Sequence, residues 1–240
     1  MSTLEVRLEG REHVAAGTIA FHFSKPPGFS FEAGQAIDLI LGDASTTSVQ
    51  NARHAFSIVS APTEPRLTIT TRMRYTAFKR ALGALAIGST ARLEGPFGSF
   101  NWYEDRERPL ALVAGGIGIT PFISILRQAE HETSHGPMCL LYSNRRPEEA
   151  AFLPELEDMA RRDSGFRLLT TMTQMNKTTR PWQGETARIN EALIRKAVSN
   201  LAAPIYYVAG PPAMLAAVRQ TLTAGGVGDE HVRSEEFFGY

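Results

Sequence analysis

The sequence predicts a chain in two parts, an antiparallel Greek-key β-barrel followed by a doubly wound parallel α/β half. The first hundred residues contain short β-branched or aromatic segments bounded by Gly, Pro or Asp, with no long helix between them. Beyond about residue 105, fully apolar strand segments alternate with helical ones, which is typical of a parallel sheet covered on both faces. We expect the barrel over residues 1–103 and the α/β half over residues 104–240, joined by the polar segment NWYEDRERP.

Each half is assigned from its own series of segments. The strand segments of the first half are HVAAGTIAFHFSKP, AIDLIL, AFSIVSAP, RLTITTRM and TARLEGPF, with one helical interruption, TAFKRALGAL, between the last two. The strand segments of the second half are LALVAGG, MCLLYSN, FRLLTTMT and PIYYVAG. Its helical segments are PFISILRQAEHE, PEEAAFLPELEDMARR, NEALIRKAV and PPAMLAAVRQTLTAGG.

The composition excludes several functional classes. Hydrophobic residues make up 43% of the chain, charged residues 21%, and the formal net charge is +0. This is an ordinary globular balance with no overall positive charge for nucleic acid or anionic lipid. A local basic patch for an acidic partner remains compatible with it.

The numbers and spacing of cysteine and histidine residues argue against disulfide bonds, iron–sulfur clusters and metal sites. The single cysteine, Cys139, forms no internal disulfide and supplies too few thiolates for an iron–sulfur cluster. The six histidines are scattered without metal-ligand spacing, so we expect no metal site. The start MSTLEVRLEG lacks a basic-then-apolar signal and no apolar stretch reaches membrane-spanning length, so we expect a cytoplasmic protein.

The segment GGIGITP, Gly115–Pro121, lies between an apolar strand and a helix start. Its glycines allow a tight turn and a close approach to a ligand, and the N–H groups of the helix start favour an anion. The spacing matches neither the G-x-G-x-x-G fingerprint nor a Walker loop, since no Lys follows. The segment YYVAGPPAML also follows a strand, at the sheet edge where open α/β sheets bind ligands. The alternative for both segments is a helix start without a ligand.

Taken together, six segments resemble the ferredoxin–NADP reductase superfamily, in the family's order and over nearly the whole chain. They are RHAFSIVSAP, RMRYTAFKR, GPFGSF, GGIGITP, AGPPAM and the terminal EEFFGY. The resemblance implies a flavin reductase without a fused ferredoxin domain, with FAD in the barrel half and NAD(P)H in the α/β half.

For the flavin, the resemblance makes Phe56 the aromatic against the isoalloxazine ring and Ser57 the hydroxyl that reaches flavin N5. The family's arginine, two places before the aromatic, is His54 here, and Arg53 stands one place earlier. Three alternatives stay open: Arg53 reaches the flavin phosphate through a bulge, His54 binds it, or both are solvated strand residues.

The segment RMRYTAFKR resembles the helix start that holds the flavin pyrophosphate, the alternative being an exposed amphipathic helix. The flavin-binding residues expected in the barrel half are Arg53, His54, Ala55, Phe56, Ser57, Thr71, Arg72, Arg74, Thr76 and Lys79.

For NAD(P)H, the resemblance implies a pyrophosphate loop and an opposite wall of the nicotinamide site. The expected residues are Gly115, Gly116, Gly118, Ile119 and Thr120 in the loop, and Gly210, Pro211 and Met214 in the wall. Ala209 stands where many relatives have cysteine, which is expected to slow hydride transfer without abolishing it.

The choice between NADPH and NADH is expected after the second strand of the α/β half. Ser143, Arg145 and Arg146 could bind a 2′-phosphate, which favours NADPH. Glu148 and Glu149 follow and could reverse the preference, and a solvated helix start explains these charges as well.

At the C-terminus, Glu236 and Phe237 resemble an acidic-aromatic pair that lies near the flavin in some relatives. Tyr240 is a candidate for a terminal aromatic stacked on the flavin, the alternative being a packed strand with a frayed tail. Ser57, Thr120 and Glu236 are the residues expected to act at the reacting atoms.

The predicted function is hydride transfer from NAD(P)H to bound FAD, followed by electron transfer to a separate acceptor such as ferredoxin or an oxygenase component. The acceptor is separate because the chain has no cluster ligands. Two alternatives remain: a reductase of free flavin, and a redox-sensing subunit that binds both cofactors with little turnover. A nicotinamide alcohol dehydrogenase is disfavoured because no Tyr-x-x-x-Lys or zinc site stands in a suitable place.

Overall fold

The computed structural model describes residues 3–42, 53–98, 100, 108–132 and 136–237. The chain forms two compact units. The first unit comprises Met1–Trp102 and Ile123–His131, and the second comprises Tyr103–Phe122 and Glu132–Tyr240. The boundary expected between residues 103 and 104 lies outside the described residues.

Eleven strands and five helices are found in the described residues. The strands are β1 (Leu4–Ala15), β2 (Thr18–Ser24), β3 (Ala36–Ile40), β4 (Arg53–Ser57), β5 (Arg66–Arg72), β6 (Thr90–Phe97), β7 (Leu110–Gly115), β8 (Met138–Asn144), β9 (Phe166–Met172), β10 (Ile205–Gly210) and β11 (Val232–Glu236). The α-helices are α1 (Ala77–Ala84), α2 (Thr120–Glu130), α3 (Leu153–Arg162), α4 (Glu191–Ala197) and α5 (Pro212–Ala224).

The first unit is built on one antiparallel sheet of six strands, in the order β4-β3-β6-β1-β2-β5. An antiparallel bridge between Ile58, just after β4, and Ile69 on β5 brings the two outer strands together. Phe21, Phe23 and Ile37 are fully buried in its core. The antiparallel barrel half of the predicted fold class is confirmed.

Helix α1 lies between β5 and β6, where the sequence predicted the one helical interruption. Thr76 caps it, because its hydroxyl accepts a hydrogen bond from Lys79 N at 3.2 Å. Phe78 and Leu82 project from one side of the helix into the barrel core. The helix is thereby fixed by burial on one side and exposed on the other.

The second unit is a parallel sheet in the order β11-β10-β7-β8-β9, which confirms the α/β half of the predicted fold class. The apolar strands β7 and β10 are buried along their whole length, as expected when helices cover both faces of a sheet. Helices α4 and α5 pack on one face. On the other face, the Tyr142 hydroxyl donates to the carbonyl of Ala151, just before α3.

The strand order fixes where a ligand site belongs. From β7 the chain adds β8 and β9 on one side and then returns to add β10 and β11 on the other. The strand order therefore reverses between β7 and β10, and ligands of open α/β sheets bind at the carboxyl ends of the strands at such a point.

Two predicted boundaries differ from the structure. The segment PEEAAFLPELEDMARR does not form one helix, because Phe152 adopts a left-handed backbone with φ of 60° and α3 begins only at Leu153. Pro147–Glu149 form a separate 3₁₀ turn. The chain also adds a fifth parallel strand, β11, beyond the four apolar strand segments of the second half.

Candidate functional site

Strand β4 carries the first group of candidate residues. Arg53, His54 and Ala55 are exposed, whereas Phe56 and Ser57 are only 6% and 5% exposed. The strand pairs with β3 along its full length. The aromatic-Ser pair is therefore held at the buried end of a strand fixed by its neighbour.

Arg53 forms ion pairs with two carboxylates of the barrel. Its Nε lies 2.8 Å from Asp38 Oδ2 on β3, and its Nη1 lies 2.7 Å from Glu94 Oε2 on β6. The hydrogen bond to Asp38 is the main cause that raises the pKa of Arg53. A guanidinium balanced by two carboxylates has little positive charge to offer a phosphate.

His54 belongs to a ring cluster. Its imidazole stacks on Phe56 with ring centroids 4.7 Å apart and an interplanar angle of 23°. Phe78 of α1 lies against both, with centroids 5.5 Å from His54 and 5.9 Å from Phe56. The His54 Nδ1 lies 2.8 Å from the carbonyl of Ala55. In this ring cluster Phe78 is tilted by 41° from His54 and by 39° from Phe56, and the stacked His54–Phe56 pair offers aromatic surface to a planar ligand.

Ser57 supplies an unused polar group beside the ring cluster. Its Oγ is buried and has no hydrogen-bond partner among the described residues. Leaving a buried hydroxyl unpaired costs about 1–3 kcal/mol. A ligand atom that pairs with Ser57 Oγ would remove this cost, so the position fits a group with a hydrogen-bonding ring edge such as a flavin.

The start of α1 concentrates positive charge. Lys79 Nζ donates to the carbonyl of Arg72 at 2.9 Å. Burial, then the positive charges of Arg74 and Arg72, lower the pKa of Lys79. In the described part of the chain, no carboxylate pairs with Arg74 or Lys79. An anion placed at this helix start would relieve the repulsion and meet the free N–H groups. Thr71 lies close by, buried at the end of β5.

In the second unit, three glycines bring two backbones into contact at the switch point. A side-chain carbon at Gly118 would lie 2.6 Å from the carbonyl carbon of Ala209. One at Gly115 would lie 2.9 Å from Pro211 Cδ, and one at Gly210 would lie 3.1 Å from the Cα of Gly115. The glycines are thus required by the close packing of β7 and its loop against the end of β10.

The rest of the glycine loop forms the entry to α2. Gly116 has a left-handed φ of 53° and opens the 3₁₀ turn Gly116–Ile119. Ile119 is fully buried, and the Thr120 hydroxyl donates to the carbonyl of Ile117 at 3.0 Å. The Thr120 hydroxyl therefore has a structural partner, whatever else it contacts.

Pro211 and Met214 form the first turn of the facing helix. Pro211 precedes α5, and its carbonyl accepts from Met214 N at 2.9 Å. Met214 is half-buried, and its Sδ lies beside Gly115, as a side-chain carbon there would approach it to 2.6 Å. The wall that the sequence predicted opposite the glycine loop is therefore in contact with it.

The three residues predicted to bind the 2′-phosphate differ from one another in exposure and in their ion pairs. Ser143 is half-buried at the end of β8, and Arg145 is exposed. Arg146 Nε donates to Glu149 Oε1 at 2.5 Å and its Nη1 donates to the carbonyl of Lys177 at 3.3 Å. The Arg146 charge is thus largely balanced, whereas Arg145 has no ion pair with any described residue.

A cavity of about 470 Å³ lies next to these residues, after β9. It is lined by Glu148, Asn176, Lys177, Thr178, Thr179 and Arg180. Glu148 is turned towards Thr178, whose hydroxyl donates to it at 2.9 Å. Lys177 and Arg180 were not predicted as site residues, although two basic residues soon after an apolar strand were a signal for them.

At the C-terminus, strand register separates Glu235 from Glu236. Glu235 pairs with Ala209 and Glu236 with Gly210, so the two carboxyl groups lie on opposite faces of the sheet. Glu235 Oε2 is buried without a partner in the described residues, and burial raises its pKa to about 7. Glu236, the carboxyl that the sequence favoured, is exposed.

The other C-terminal residues are only partly described. Phe237 N donates to the carbonyl of Gly210 at 3.0 Å, which extends the pairing of β11 by one residue. Tyr240 lies outside the described residues.

No group of three or more potential metal ligands occurs in the residues that the structure describes. Within the same residues, none of the helices has the length and apolar character needed to cross a membrane.

The chain is similar in sequence to several known oxidoreductases. Residues 112–220 match the family of oxidoreductase NAD-binding domains. The glycine betaine monooxygenase reductase subunit of Chromohalobacter salexigens is 26% identical over 226 residues, which cover 92% of this chain and 60% of that protein. Ferredoxin–NADP reductase B of Sorangium cellulosum is 29% identical over 229 residues, covering 91% and 90%. The chain spans only 44% of another relative, NADH-cytochrome b5 reductase 2 of Lodderomyces elongisporus, with 27% identity over 55% of this chain.

The fold has close counterparts among solved structures. A ferredoxin NADP⁺ reductase from Neisseria gonorrhoeae with bound FAD and NADP superposes with a TM-score of 0.83 at 22% identity, covering 98% of this chain and 99% of that one. The ferredoxin reductase in carbazole 1,9a-dioxygenase gives a TM-score of 0.81 at 21% identity, covering 99% and 70%. These similarities establish the two-part fold.

The glycine contact makes a prediction about stability. Gly118→Ala is expected to lower the free energy of unfolding by about 1–3 kcal/mol, because the added carbon meets rigid backbone at Ala209. Urea denaturation measures this change. Gly10→Ala is the matched control, since its nearest atom, His22 Cδ2, is at an ordinary 3.6 Å. Equal stability of the two variants would contradict the proposed role of the contact.

The buried carboxyl makes a prediction about pH. The folded protein holds the Glu235 proton up to a pKa of about 7, whereas the unfolded chain releases it near 4.5, so ionisation destabilises the fold as pH rises between these values. Glu235→Gln is therefore expected to raise the free energy of unfolding by about 1–3 kcal/mol at pH 8, with a smaller effect at pH 5.

Urea denaturation at the two pH values measures this difference. Glu236→Gln is the control and should change little at either pH, because Glu236 is exposed. A Glu235→Gln effect that did not depend on pH would contradict the interpretation.

Proposed function

We propose that the chain belongs to the ferredoxin–NADP reductase superfamily, and that it transfers a hydride from NAD(P)H to bound FAD and then passes electrons to a separate acceptor. The observation that carries the proposal is the buried, unpartnered hydroxyl of Ser57 beside the ring cluster of His54, Phe56 and Phe78. This pairing suits a planar ring system with a polar edge.

The flavin phosphates are assigned to the start of α1. Arg74 and Lys79 are cations without a carboxylate partner in the described part of the chain, and Thr76 marks a helix N-terminus beside them. Arg53 is the weaker candidate, because Asp38 and Glu94 already balance its charge. Ring and phosphates would then be held by β4 and α1, which are joined through Phe78.

NAD(P)H is assigned to the switch point of the parallel sheet. The glycine loop before α2 and the turn before α5 present backbone with little side chain, which allows a pyrophosphate to approach closely. Glu235, rather than Glu236, lies on the same sheet face as Ala209 at this edge. It is the carboxyl we expect to face the nicotinamide.

The nucleotide preferred is NADPH. Arg145, Lys177 and Arg180 are exposed basic residues at the carboxyl ends of β8 and β9, beside the cavity of about 470 Å³. A 2′-phosphate on the adenosine ribose would meet them there. Glu148 is a weaker candidate for binding the ribose 2′-hydroxyl of NADH, because its Oε2 already accepts a hydrogen bond from the Thr178 hydroxyl.

The side chains and backbone of the proposed site bind and orient FAD and the nucleotide, and one carboxyl group holds a proton. When bound, FAD supplies the chemistry of accepting a hydride and releasing electrons singly. Ser57 donates or accepts a hydrogen bond at the ring edge, and the ring cluster keeps water from that side. The glycine loop orients the nucleotide, and Glu235 holds a proton up to near-neutral pH.

The acceptor we propose is ferredoxin or an oxygenase component. Two relatives support this by their names. One is the glycine betaine monooxygenase reductase subunit, and the other is the anthranilate 1,2-dioxygenase electron transfer component of Acinetobacter baylyi, 29% identical over 63% of this chain and 43% of its own length. A second candidate, reduction of free flavin, is favoured by the neutralised Arg53, since a weaker grip on the phosphate would let flavin exchange.

One experiment tests the function directly. The purified chain is expected to be yellow, and anaerobic NADPH should bleach its visible flavin band faster than NADH does. Bleaching by NADPH with FAD retained on gel filtration supports the main proposal. Turnover of added FMN with no retained flavin favours the free-flavin alternative. A colourless preparation that does not take up added FAD contradicts both.

The phosphate assignment makes a separate prediction. Arg74→Ala and Lys79→Ala are each expected to raise the Kd for FAD about tenfold, because each removes a charge-assisted contact. Arg53→Ala is expected to leave this Kd within about threefold while lowering the melting temperature, since Asp38 and Glu94 lose their partner.

Flavin fluorescence titration measures the Kd, and Arg7→Ala, exposed on β1, is the matched control. A larger loss of FAD affinity in Arg53→Ala than in Arg74→Ala would reverse the assignment.

A further inference from the structure

Helix α2 belongs to both compact units of the chain. It runs without a break from Thr120 to Glu130. Residues 120–122 lie in the second unit with the glycine loop, and Ile123–His131 lie in the first unit. Each turn of a helix is hydrogen-bonded to the next, so a helix resists bending and carries restraint along its axis. Helix α2 is therefore a stiff covalent link from the proposed nucleotide loop into the unit that contains β4.

The start of α2 is fixed to the glycine loop. The Thr120 hydroxyl donates to the carbonyl of Ile117 at 3.0 Å. Every residue from Thr120 to Leu126 is buried, so this part of the helix is covered on all its faces and not on one side alone. A ligand bound at the glycine loop would therefore restrain a helix that is already held along its length.

Ser124 is a polar residue within this covered part of α2. Its side chain is fully buried, and its Oγ donates to the carbonyl of Ser60 at 2.7 Å. A serine inside a helix commonly bonds to a carbonyl of its own preceding turn, whereas this serine bonds to a residue outside the helix. The hydrogen bond lies within the first unit and joins α2 to the chain that follows β4.

The carbonyl that Ser124 reaches belongs to the same short segment as Ser57. Within residues 57–60, Ile58 N donates to a carbonyl just before β3 at 2.9 Å, and Val59 N donates to a carbonyl on β5 at 2.8 Å. The bond from Ser124 anchors the next residue along. The place of the Ser57 hydroxyl therefore depends on a segment that is held by two strands and by α2.

A second contact joins α2 to the chain just beyond this segment. Arg127 Nη1 lies 3.4 Å from Glu64 Oε1, and the same oxygen accepts a hydrogen bond from Ala61 N at 2.8 Å. Both side chains of this ion pair are partly exposed. A longer and more exposed pair contributes less than a buried hydrogen bond, so Ser124 is the main link.

We propose that Ser124 is a positioning residue, which holds the Ser57 segment in place when a nucleotide occupies the glycine loop. It acts through α2 and through the carbonyl of Ser60. The inference rests on the proposed function for the two ligands, and on burial and hydrogen bonding for the link. Binding that restrains one end of a buried helix also restrains the backbone bonded to that helix, so the segment opens less often.

Hydrogen exchange tests the link without any hydride transfer. The probe is NADP⁺, or NAD⁺ where that binds more tightly. At saturation the nucleotide is expected to slow exchange of the Ile58 and Val59 amides about fivefold in the unmodified chain, and less than about twofold in Ser124→Ala. Arg127→Ala removes a partly exposed side chain and should give an intermediate value. It keeps the link testable if Ser124→Ala does not fold.

Ser60→Ala is the matched control for lost stability. The Ser60 Oγ accepts a hydrogen bond from Thr68 N at 3.1 Å, so this variant loses a buried hydrogen bond of the same segment but keeps the carbonyl that Ser124 reaches. Its amides should exchange faster without nucleotide and still be slowed by it. Slowing that is lost equally in Ser60→Ala and Ser124→Ala would show a merely structural role and overturn the proposal. Equal slowing in the unmodified chain and Ser124→Ala, or none in the unmodified chain, would also overturn it.

Stopped-flow bleaching of the flavin band gives a kinetic readout of the same link. Ser124→Ala is expected to lower the limiting rate with NADPH about fivefold, because Ser57 is less well placed, while the half-saturating NADPH concentration stays within about twofold. Ser60→Ala should stay within about twofold of the unmodified chain in both quantities. A changed half-saturating concentration at an unchanged limiting rate would contradict a positioning role.

The two readouts separate this inference from the proposed function. Slowed exchange in a chain whose flavin is not bleached would support the link and contradict the function. Bleaching without slowed exchange would support the function and overturn the link. A chain that binds neither nucleotide in calorimetry would contradict both.

Discussion

The close approach of the glycine loop to the end of β10 is the constraint on which the nucleotide half depends. Gly118 leaves no room for a side chain against the carbonyl of Ala209, and Gly210 leaves none against Gly115. These contacts lie where the strand order reverses between β7 and β10. A tight junction there leaves an edge with little side chain at Gly115, Gly118 and Gly210. The same absence of side chains that packs the sheet therefore prepares the edge for an anion.

In the barrel half, two basic residues have contrasting surroundings. Arg53 lies between carboxylates of two neighbouring strands, and these carboxylates of the barrel balance its charge. Lys79 lies among other cations, and its pKa is lowered by burial and by their repulsion. A fold keeps such an arrangement at a cost unless an anion compensates it. The contrast between the two cations is the reason that we propose α1, rather than β4, as the phosphate-binding element.

The sequence predicted those features that depend on neighbours in the chain. The helix that begins after Thr76, the tight turn of the glycine loop and the apolar strands of the parallel sheet are all set within a few residues. Each of these was predicted. Features that depend on pairing between distant strands were not predictable. Arg53 finds Asp38 and Glu94 only because β3 lies between β4 and β6.

Strand register and loop conformation explain other features that the sequence did not predict. Glu235 and Glu236 are adjacent in sequence, and only the pairing of β11 with β10 decides which carboxyl is buried. Lys177 and Arg180 follow an apolar strand in the sequence, but only the folded loop after β9 brings both to one open pocket. The left-handed Phe152 likewise shortened a helix that its periodicity predicted to be longer. The two sides of α1 follow the same logic: its spacing predicted a helix, but only burial of Phe78 and Leu82 decided that Arg80 faces outward.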